Sequence, residues 1–200
     1  ILWFQNHVVA HHSETNISGS DPDIDSFSTL RFHEEETWHF WHRWQHWYAL
    51  PLYALKALFW VWGSDFLELY TNTYRFQGRR RILFVLELIV SRISHVLLFL
   101  ILPYQIMGQW TPVLIGYVAF MLLFGASMTM IFTLAHITDV QAFQAAGAKP
   151  NVDWALHQVR TTSDFSVNNG LLTWFIGGLN YQVEHHIFPN ISHLHYPKIQ

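Results

Sequence analysis

Two short segments of the chain carry histidines at spacings that suit metal binding: HVVAHH near the start and QVEHH near the end. Residues three or four apart lie on one face of an α-helix, so each segment can present several donors to the same side. The candidate ligands of the two segments are His7, His11, His12, Gln182, His185 and His186. One such segment can arise by chance in a chain with 14 histidines. Two together predict a metal centre.

A further histidine, His136, stands at the end of a long apolar stretch, in the sequence FTLAHITD. An ionisable residue at a membrane boundary is a candidate functional group, although a lone histidine there more often only hydrogen-bonds its surroundings. Six histidines and Gln182 are too many ligands for one tetrahedral site, which predicts two metal ions. Helical spacing pairs His7 with His11 on one ion and leaves His12 to reach the second. Spacing does not identify the metal, since imidazole binds zinc, copper, iron and nickel.

Composition excludes several classes of protein. Apolar residues make up 51% of the chain and charged residues 12%, about half the charged content of an average soluble protein. The chain has no cysteine, so disulfides and thiolate metal sites are excluded. A net charge of -3 gives no basic surface for a nucleic acid. The composition therefore indicates an ordered, lipid-associated protein.

Two apolar stretches predict a transmembrane helical hairpin. Residues 111–135 contain no charged residue and, at about 1.5 Å per residue, reach across a hydrocarbon core of about 30 Å. Residues 82–107 are as apolar but contain Glu87, Arg92 and His95, which we expect to face other helices or the membrane surface.

The arginines at 79–81 precede the hairpin, so its outer ends are predicted to be cytoplasmic. A third apolar run, residues 47–62, is rich in Trp and interrupted by Pro51 and Lys56. A third crossing would separate the two histidine segments, so we expect this run to lie at the interface or to re-enter. The predicted fold is all-α and integral to the membrane. Its four parts are a cytosolic cap segment (1–46), an interfacial segment (47–78), the hairpin (79–136) and a second cap segment (137–200).

Together these motifs resemble the membrane fatty acid desaturase family. The resemblance covers nearly the whole chain: HVVAHHSETN, DPDID, a hairpin ending in FTLAH, TTSDFS, NYQVEHHIFP and ISHLHYP. The Gln-headed third box resembles the front-end branch, including the bacterial linoleoyl-CoA desaturase-like proteins. The resemblance implies two iron ions held by three sets of residues. The second histidine box is His7, His11 and His12, the additional histidine is His136, and the third box is Gln182, His185 and His186.

The resemblance implies an O2-dependent di-iron enzyme that introduces a cis double bond into a fatty acyl chain, carried on CoA or on a lipid. Electrons would come from a b5-type cytochrome or a ferredoxin. The histidine boxes would face the cytoplasm of a multi-pass protein in a bacterial inner membrane or the endoplasmic reticulum. A lipid hydroxylase of the same superfamily and a histidine-rich zinc-binding or transport protein are the alternatives. Transport would place ligands near the middle of the spans.

Two departures from the family pattern stand out. The first histidine box is absent and the chain begins at Ile1, so we expect an N-terminally truncated fragment that is inactive alone. In stearoyl-CoA-type relatives an Asn four residues before the additional histidine helps to hold a water, whereas this chain has Phe132 there. The resemblance therefore does not carry a water-mediated ligand to this chain.

Supporting roles are predicted for residues around the third box. Those that we expect to hydrogen-bond a ligand are Glu184, Asp164, Asn168, Asn169 and His193. The alternative for Asp164, Asn168 and Asn169 is capping of a helix before Gly170, and the alternative for His193 is a surface turn. Those that we expect to line a substrate channel, with core packing as the alternative, are Trp174, Phe175 and Tyr181. The histidines among tryptophans, His39, His42 and His46, are assigned to an interfacial helix rather than a metal site. The acidic run Asp21, Asp23 and Asp25 is expected to be a solvated turn.

Overall fold

A computed structural model of the chain describes residues 1–34, 36–145, 147 and 153–200. Within these ranges the chain is helical, and the one β-contact is an isolated bridge between Ile17 and Gln144. This confirms the predicted all-α class. Glu35, residue 146 and residues 148–152, which belong to the two predicted cap segments, lie outside the described residues.

The helices are numbered in chain order. The first, α1, is a π-helix (Phe4–His11) continued by the α-helical turn His12–Glu14. After a 3-10 turn at Phe40–Trp44, α2 covers Gln45–Phe59, a π-helical turn at Trp60–Ser64 and Asp65–Thr71. The long helices are α3 (Gly78–Met107) and α4 (Trp110–His136). Short helices follow: α5 (Trp154–Thr161), α6 (Gly170–Phe175), α7 (Gln182–Ile187), a 3-10 turn at His193–His195, and α8 (Tyr196–Ile199).

The described residues form two compact units. We call Ile1–Leu2 with Tyr48–Thr129 the hairpin unit, and Trp3–Trp47 with Met130–Gln200 the histidine unit. The second unit gathers both histidine segments from opposite ends of the sequence.

Helices α3 and α4 of the hairpin unit are each long and apolar enough to cross a membrane, which confirms the two predicted apolar helices. Only 6% and 17% of their most apolar windows are buried within the protein, so these apolar surfaces are exposed rather than packed in a core. Gly108 ends α3 with a φ of 68°, a left-handed conformation that glycine adopts without strain. It allows the tight turn that the sequence predicts between Met107 and Trp110.

Helix α2 packs against this hairpin. Gly125 of α4 lies against the backbone carbonyl of Ala54, where an added Cβ would overlap with that oxygen. One turn further along α4, the hydroxyl of Thr129 donates to Tyr53 O over 3.4 Å. The third apolar run is therefore part of a longer helix that contacts both long helices. Its interfacial or re-entrant placement stays a prediction.

Of the three ionisable residues predicted to face other helices or the membrane surface, Arg92 and His95 have partners on other helices, and Glu87 pairs with the amino group of Ile1. Arg92 forms an ion pair with Asp65 of α2. His95 Nε2 lies 2.9 Å from the hydroxyl of Tyr117 on α4, and Trp62 Nε1 donates to the same hydroxyl over 2.7 Å. Pairing of this kind is what allows charged and polar groups to remain in an apolar helix.

The histidine unit has an unusually polar interior. Its most deeply buried large side chains are Ile17, His11, His157, His186, Gln158, Gln182, Asn16, Asn180, Thr15, Thr161 and Asp21. Asn16 links three segments, since its amide donates to the carbonyls of His136, Ala142 and Thr161 over 2.9, 3.4 and 3.2 Å. Buried polar groups are costly unless paired, so an interior of this composition indicates a site rather than a purely structural core.

Candidate metal centre

The winding of α1 decides how its histidines are grouped. Residues 4–11 form a π-helix, in which residues five apart are joined by hydrogen bonds. The N–H of His12 accordingly donates to His7 O. The rings of His7 and His12 therefore lie together, with their centroids 4.9 Å apart.

Six histidines converge into two adjacent groups of three. In each group one nitrogen per ring lies within 4.8 Å of the others. We call His11, His136 and His186 the inner triad, and His7, His12 and His185 the outer triad. The helical spacing predicted His7 and His11 on one ion with His12 apart. In the structure the π-helix also brings His7 close to His12, and His7 belongs both to the outer triad and to a group with His11 and Asp23.

The inner triad is deeply buried. The exposed fractions of His11, His136 and His186 are 0%, 4% and 0%. The ring centroids of these three residues are 4.6 to 4.9 Å apart. They come from α1, the end of α4 and α7, so three separate segments must be held in place for this group to form.

Hydrogen bonds fix two rings of the inner triad. His11 Nδ1 lies 3.0 Å from both carboxylate oxygens of Asp21. The backbone N–H groups of Asn16 and Asp23 hold that carboxylate at 2.8 and 2.9 Å. His186 Nδ1 lies 2.8 Å from Gln158 Oε1. Ligand histidines in metalloproteins are held through their second nitrogen in the same way.

The opposite nitrogens of these rings fit a metal ion. His11 Nε2 and His186 Nε2 are buried and have no hydrogen-bond partner among the described residues. A buried polar atom without a partner costs about 1–3 kcal/mol. A bound metal would satisfy both atoms, and nitrogen ligands of this kind suit iron among other transition metals.

The outer triad is held more loosely. His7 and His12 are 8% and 7% exposed, and His185 is half-buried. His7 Nδ1 lies 3.2 Å from Asp23 Oδ2, on a carboxylate side chain that is 39% exposed. His12 Nδ1 is buried and has no partner among the residues that the structure describes.

The two triads are in contact with each other. The rings of His12 and His186 stack with a centroid distance of 4.2 Å, and those of His7 and His11 with 5.1 Å. Two ions held by these triads would be neighbours, as in sites that activate one substrate between two metals.

Burial keeps most of these imidazoles neutral. It lowers the pKa of His12 to about 3 and that of His185 to about 4, and neighbouring histidines lower both further. Burial likewise places the pKa of His186 well below its usual value. For His11, burial alone would lower the pKa, but the hydrogen bond and charge of Asp21 outweigh burial and raise it. Neutral imidazole is the form that binds metal, so the apo site is largely ready to bind near neutral pH.

Gln182 lies at the inner triad. Its side chain is buried, and Nε2 lies 2.9 Å from His136 Nε2. Its Oε1 is buried and has no partner within the described ranges. Gln182 is therefore placed to contact His136 or to offer an oxygen at the edge of the site.

Glu184 and Asp164 contact each other and the backbone of α7. Asp164 Oδ1 accepts a hydrogen bond from Val183 N over 3.0 Å. Burial raises the pKa of Glu184 to about 7, with a further contribution from Asp164. Within the described parts of the chain, no hydrogen bond joins either carboxylate to a triad ring, and the bond from Val183 N to Asp164 ties that carboxylate to the helix that carries the third box.

Other predicted residues do not belong to either triad. Asn168 and His193 are exposed. Asn169 caps α6 by accepting from Leu172 N over 3.1 Å, which confirms the capping alternative.

The three predicted channel aromatics differ in burial. Trp174 and Phe175 are 79% and 73% exposed, so they are not core residues, and their place along a channel stays a prediction. Tyr181 is buried, and its hydroxyl donates to Val167 O over 2.8 Å.

The interpretation of the acidic run as a solvated turn is wrong for Asp21, which is buried and bound to His11. Asp23 is side-chain exposed but contacts His7, and Asp25 accepts from Phe27 N at the surface. The signal for Asp21 was its position, since a carboxylate shortly after a histidine box is placed to orient a ligand. Gln158 carries no such signal in the sequence.

Among His39, His42 and His46, the ring of His42 hydrogen-bonds backbone groups. His42 is buried, receives the backbone N–H of His39 on Nδ1, and lies 3.0 Å from Ser28 O through Nε2. No metal-binding group among the described residues includes His39, His42 or His46.

Comparison with known proteins identifies the family. The sequence model described as fatty acid desaturase matches residues 1–200. The chain is 32% identical over 206 residues to the sn-1 linoleoyl-lipid 6-desaturase of Synechocystis sp., covering 100% of this chain and 57% of the relative. It is 32% identical over 201 residues to the sn-1 linoleoyl-lipid 6-desaturase of Arthrospira platensis, covering 99% and 55%. It is 34% identical over 211 residues to the acyl-lipid (8-3)-desaturase of Physcomitrium patens, covering 100% and 43%.

The chain therefore belongs to the fatty acid desaturase family, and the predicted resemblance to its front-end members is confirmed. The chain spans about half the length of these curated relatives. No solved structure matches it. The family and the two long apolar helices together indicate a membrane protein.

Proposed function

We propose that this chain carries the metal centre of an O2-dependent di-iron desaturase that introduces a cis double bond into a fatty acyl chain. The observation that carries the proposal is the convergence of six histidines, from segments at both ends of the sequence and the end of α4, into two adjacent triads. The relatives are named as desaturases that act on acyl-lipids, which favours a lipid over CoA as the acyl carrier.

The reaction demands an oxidant that no side chain supplies. Two iron ions bound at the triads would provide that chemistry, using O2 and electrons from a b5-type cytochrome or a ferredoxin. The chain's own residues hold the ligand nitrogens in place. Asp21 orients His11 and supplies a negative charge next to the inner triad, and Asp23 Oδ2 lies 3.6 Å from His11 Nδ1. The neutral rings leave much of the positive charge of the ions uncompensated. That charge favours binding of oxygen-derived anions.

We also propose the topology that the sequence predicts. Residues 1–46 and 137–200 would form a cytosolic cap, residues 47–78 an interfacial segment and residues 79–136 the hairpin. The histidine unit, which gathers Trp3–Trp47 and Met130–Gln200, supports a common cap. Five of the six triad histidines lie outside the helices long enough to span a membrane, and His136 lies at the end of one. This placement disfavours zinc transport, which would need ligands within the spans.

The test uses the protein expressed from its complete gene, with His186→Ala as the matched inactive variant. Mass spectrometry of lipids from the expressing host should show new acyl chains two hydrogens lighter only with the wild type. Metal analysis should find two iron ions per chain. A gain of a hydroxyl group without a new double bond would assign a hydroxylase. Zinc without iron, together with no O2 consumption, would assign the zinc protein and overturn the proposal.

A further inference from the structure

A glutamine outside every histidine segment touches the inner triad. Gln158 lies on α5 and is fully buried. Its Oε1 lies 2.8 Å from His186 Nδ1 and 2.9 Å from the hydroxyl of Thr15. Thr15 is also buried and lies 2.6 Å from His11 O. Gln158 is thereby placed between the segment that carries His11 and the helix that carries His186.

The orientation of the Gln158 amide determines which nitrogen of His186 is free. With Oε1 toward the ring, His186 Nδ1 donates, and in a neutral ring Nε2 keeps its lone pair. With the amide reversed, Nε2 of Gln158 would donate to His186 Nδ1, and the hydrogen of the ring would move to Nε2. Only the first arrangement leaves His186 Nε2 able to bind a metal.

Hydrogen bonding alone does not select between these arrangements. Gln158 Nε2 is buried and has no partner among the described residues. Reversing the amide would leave Oε1 unpaired in its place. A metal on His186 Nε2 breaks this balance, because the ion requires that nitrogen to be unprotonated.

We propose that Gln158, steadied by Thr15, is a positioning residue that holds His186 in the tautomer and orientation needed to bind the inner metal. The inference rests on the proposed two-metal function. Gln158 accepts a hydrogen bond from His186 Nδ1, as Asp21 does from His11 Nδ1. The accepting oxygen of Gln158 is neutral, whereas that of Asp21 carries a negative charge. Gln158 thus orients a second ring of the inner triad without adding a negative charge to it.

Two substitutions separate the acceptor role of Gln158 from its volume. Gln158→Met keeps a side chain of similar length and removes the acceptor, whereas Gln158→Glu keeps an acceptor facing His186. Gln45→Met is the matched control, since the Gln45 amide bridges Arg31 N and O and touches no triad residue. The measurement is a Co2+ titration of the metal-free protein, expressed from its complete gene, followed by the visible absorption of the bound ion.

Wild-type protein and Gln45→Met should bind two Co2+ ions with matching affinities. Gln158→Met should weaken one of the two by about 10- to 100-fold, the usual effect of losing an outer partner of a ligand histidine. Gln158→Glu should restore that affinity to near the wild-type value. Unchanged binding in Gln158→Met would overturn the inference, and so would equal losses in Gln158→Met and Gln158→Glu, since the amide would then act only through packing or its N–H.

A second variant covers the case in which Gln158→Met does not fold. Thr15→Val removes the hydroxyl next to Oε1 and should weaken the same Co2+ position by about 2- to 10-fold, the worth of one neutral hydrogen bond. Unchanged binding in Thr15→Val would also overturn the inference. Wild-type protein that binds no Co2+ would instead overturn the metal centre itself, an outcome distinct from the loss of Gln158 function alone.

Discussion

The inner and outer triads are built from the same residue type, and both draw on the same two histidine segments, with His136 added to the inner one. Their surroundings nevertheless differ. His11 and His186 of the inner triad are fully buried, and each has an anchored Nδ1. In the outer triad only His7 has a side-chain partner among the described residues, and that partner, Asp23, is partly exposed.

The two triads also show how one histidine segment could supply ligands to two ions. His11 and His12 are neighbours in sequence, as are His185 and His186, and the members of each pair go to different triads. Adjacent helical residues point in different directions, so each segment contributes to both positions. We infer that the inner position is preorganised, while the outer position can adjust its ligands.

The largest expected effect comes from removing one ligand from either triad. His186→Ala should abolish inner metal binding and desaturation. His185→Ala should abolish desaturation but leave the inner ion in place, because His11, His136 and His186 do not depend on the outer rings for their anchors. Metal counting by mass spectrometry on purified variants should give one bound ion or none for His186→Ala and one for His185→Ala.

The comparison between the triads fails if His185→Ala loses both ions while keeping its fold. Loss of both ions would mean that binding of the inner ion depends on the outer ion. The hydrogen bonds to His11 and His186 would then contribute little to inner metal affinity. Asn168→Ala, at an exposed position away from both triads, is the control and should keep two ions.

The anchor of His11 gives the next largest effect. The Asp21 carboxylate accepts from His11 and from the backbone N–H groups of Asn16 and Asp23. An amide in Asp21→Asn offers one acceptor oxygen and places N–H groups against a donor. We expect a loss of about 10- to 100-fold in inner metal affinity and about 1–3 kcal/mol in stability. Chelator competition and thermal unfolding measure the two effects, and wild-type affinity would show that Asp21 does not orient His11.

The sequence could name the histidines that converge but not their grouping. Histidine at helical spacing is a chemical signal, and an uncharged stretch of membrane length is a physical one, so the six histidines and the two long helices were accessible. The pairing of His7 with His12 was not, because it depends on π-helical winding that regular α-helical geometry does not anticipate. Gln158 was also inaccessible, since a glutamine in a short helix becomes informative only once its burial and its contact with His186 are known.

Acid should weaken the folded, metal-free protein. The pKa values of His12, His185 and His186 are lowered in the folded state, so between about pH 4.5 and 6.5 the unfolded chain binds more protons at these residues. Stability should therefore fall as the pH drops through this window. The raised pKa values of Glu184 and His11 act in the opposite sense, but that of His11 acts mainly above pH 6.5, where the unfolded imidazole loses its proton.

Thermal unfolding of the metal-free protein at pH 7.5, 6 and 5 measures this dependence. Glu184→Gln is the matched variant, and it should make the decline steeper because it removes the opposing contribution. Unfolding temperatures that stay constant or rise toward pH 5 would contradict the neutral, buried state of these rings.

The smallest effect is expected at the anchor of the outer triad. Asp23→Asn makes the same change as Asp21→Asn, but at a side chain that is 39% exposed and 3.2 Å from His7 Nδ1. Water can replace a lost partner there, and an amide oxygen can still accept, so metal affinity at the outer position should change by less than about 3-fold. Chelator competition on both variants gives the ratio directly. Equal losses in Asp21→Asn and Asp23→Asn would mean that burial does not distinguish the two triads, and that the outer rings are as firmly held as the inner ones.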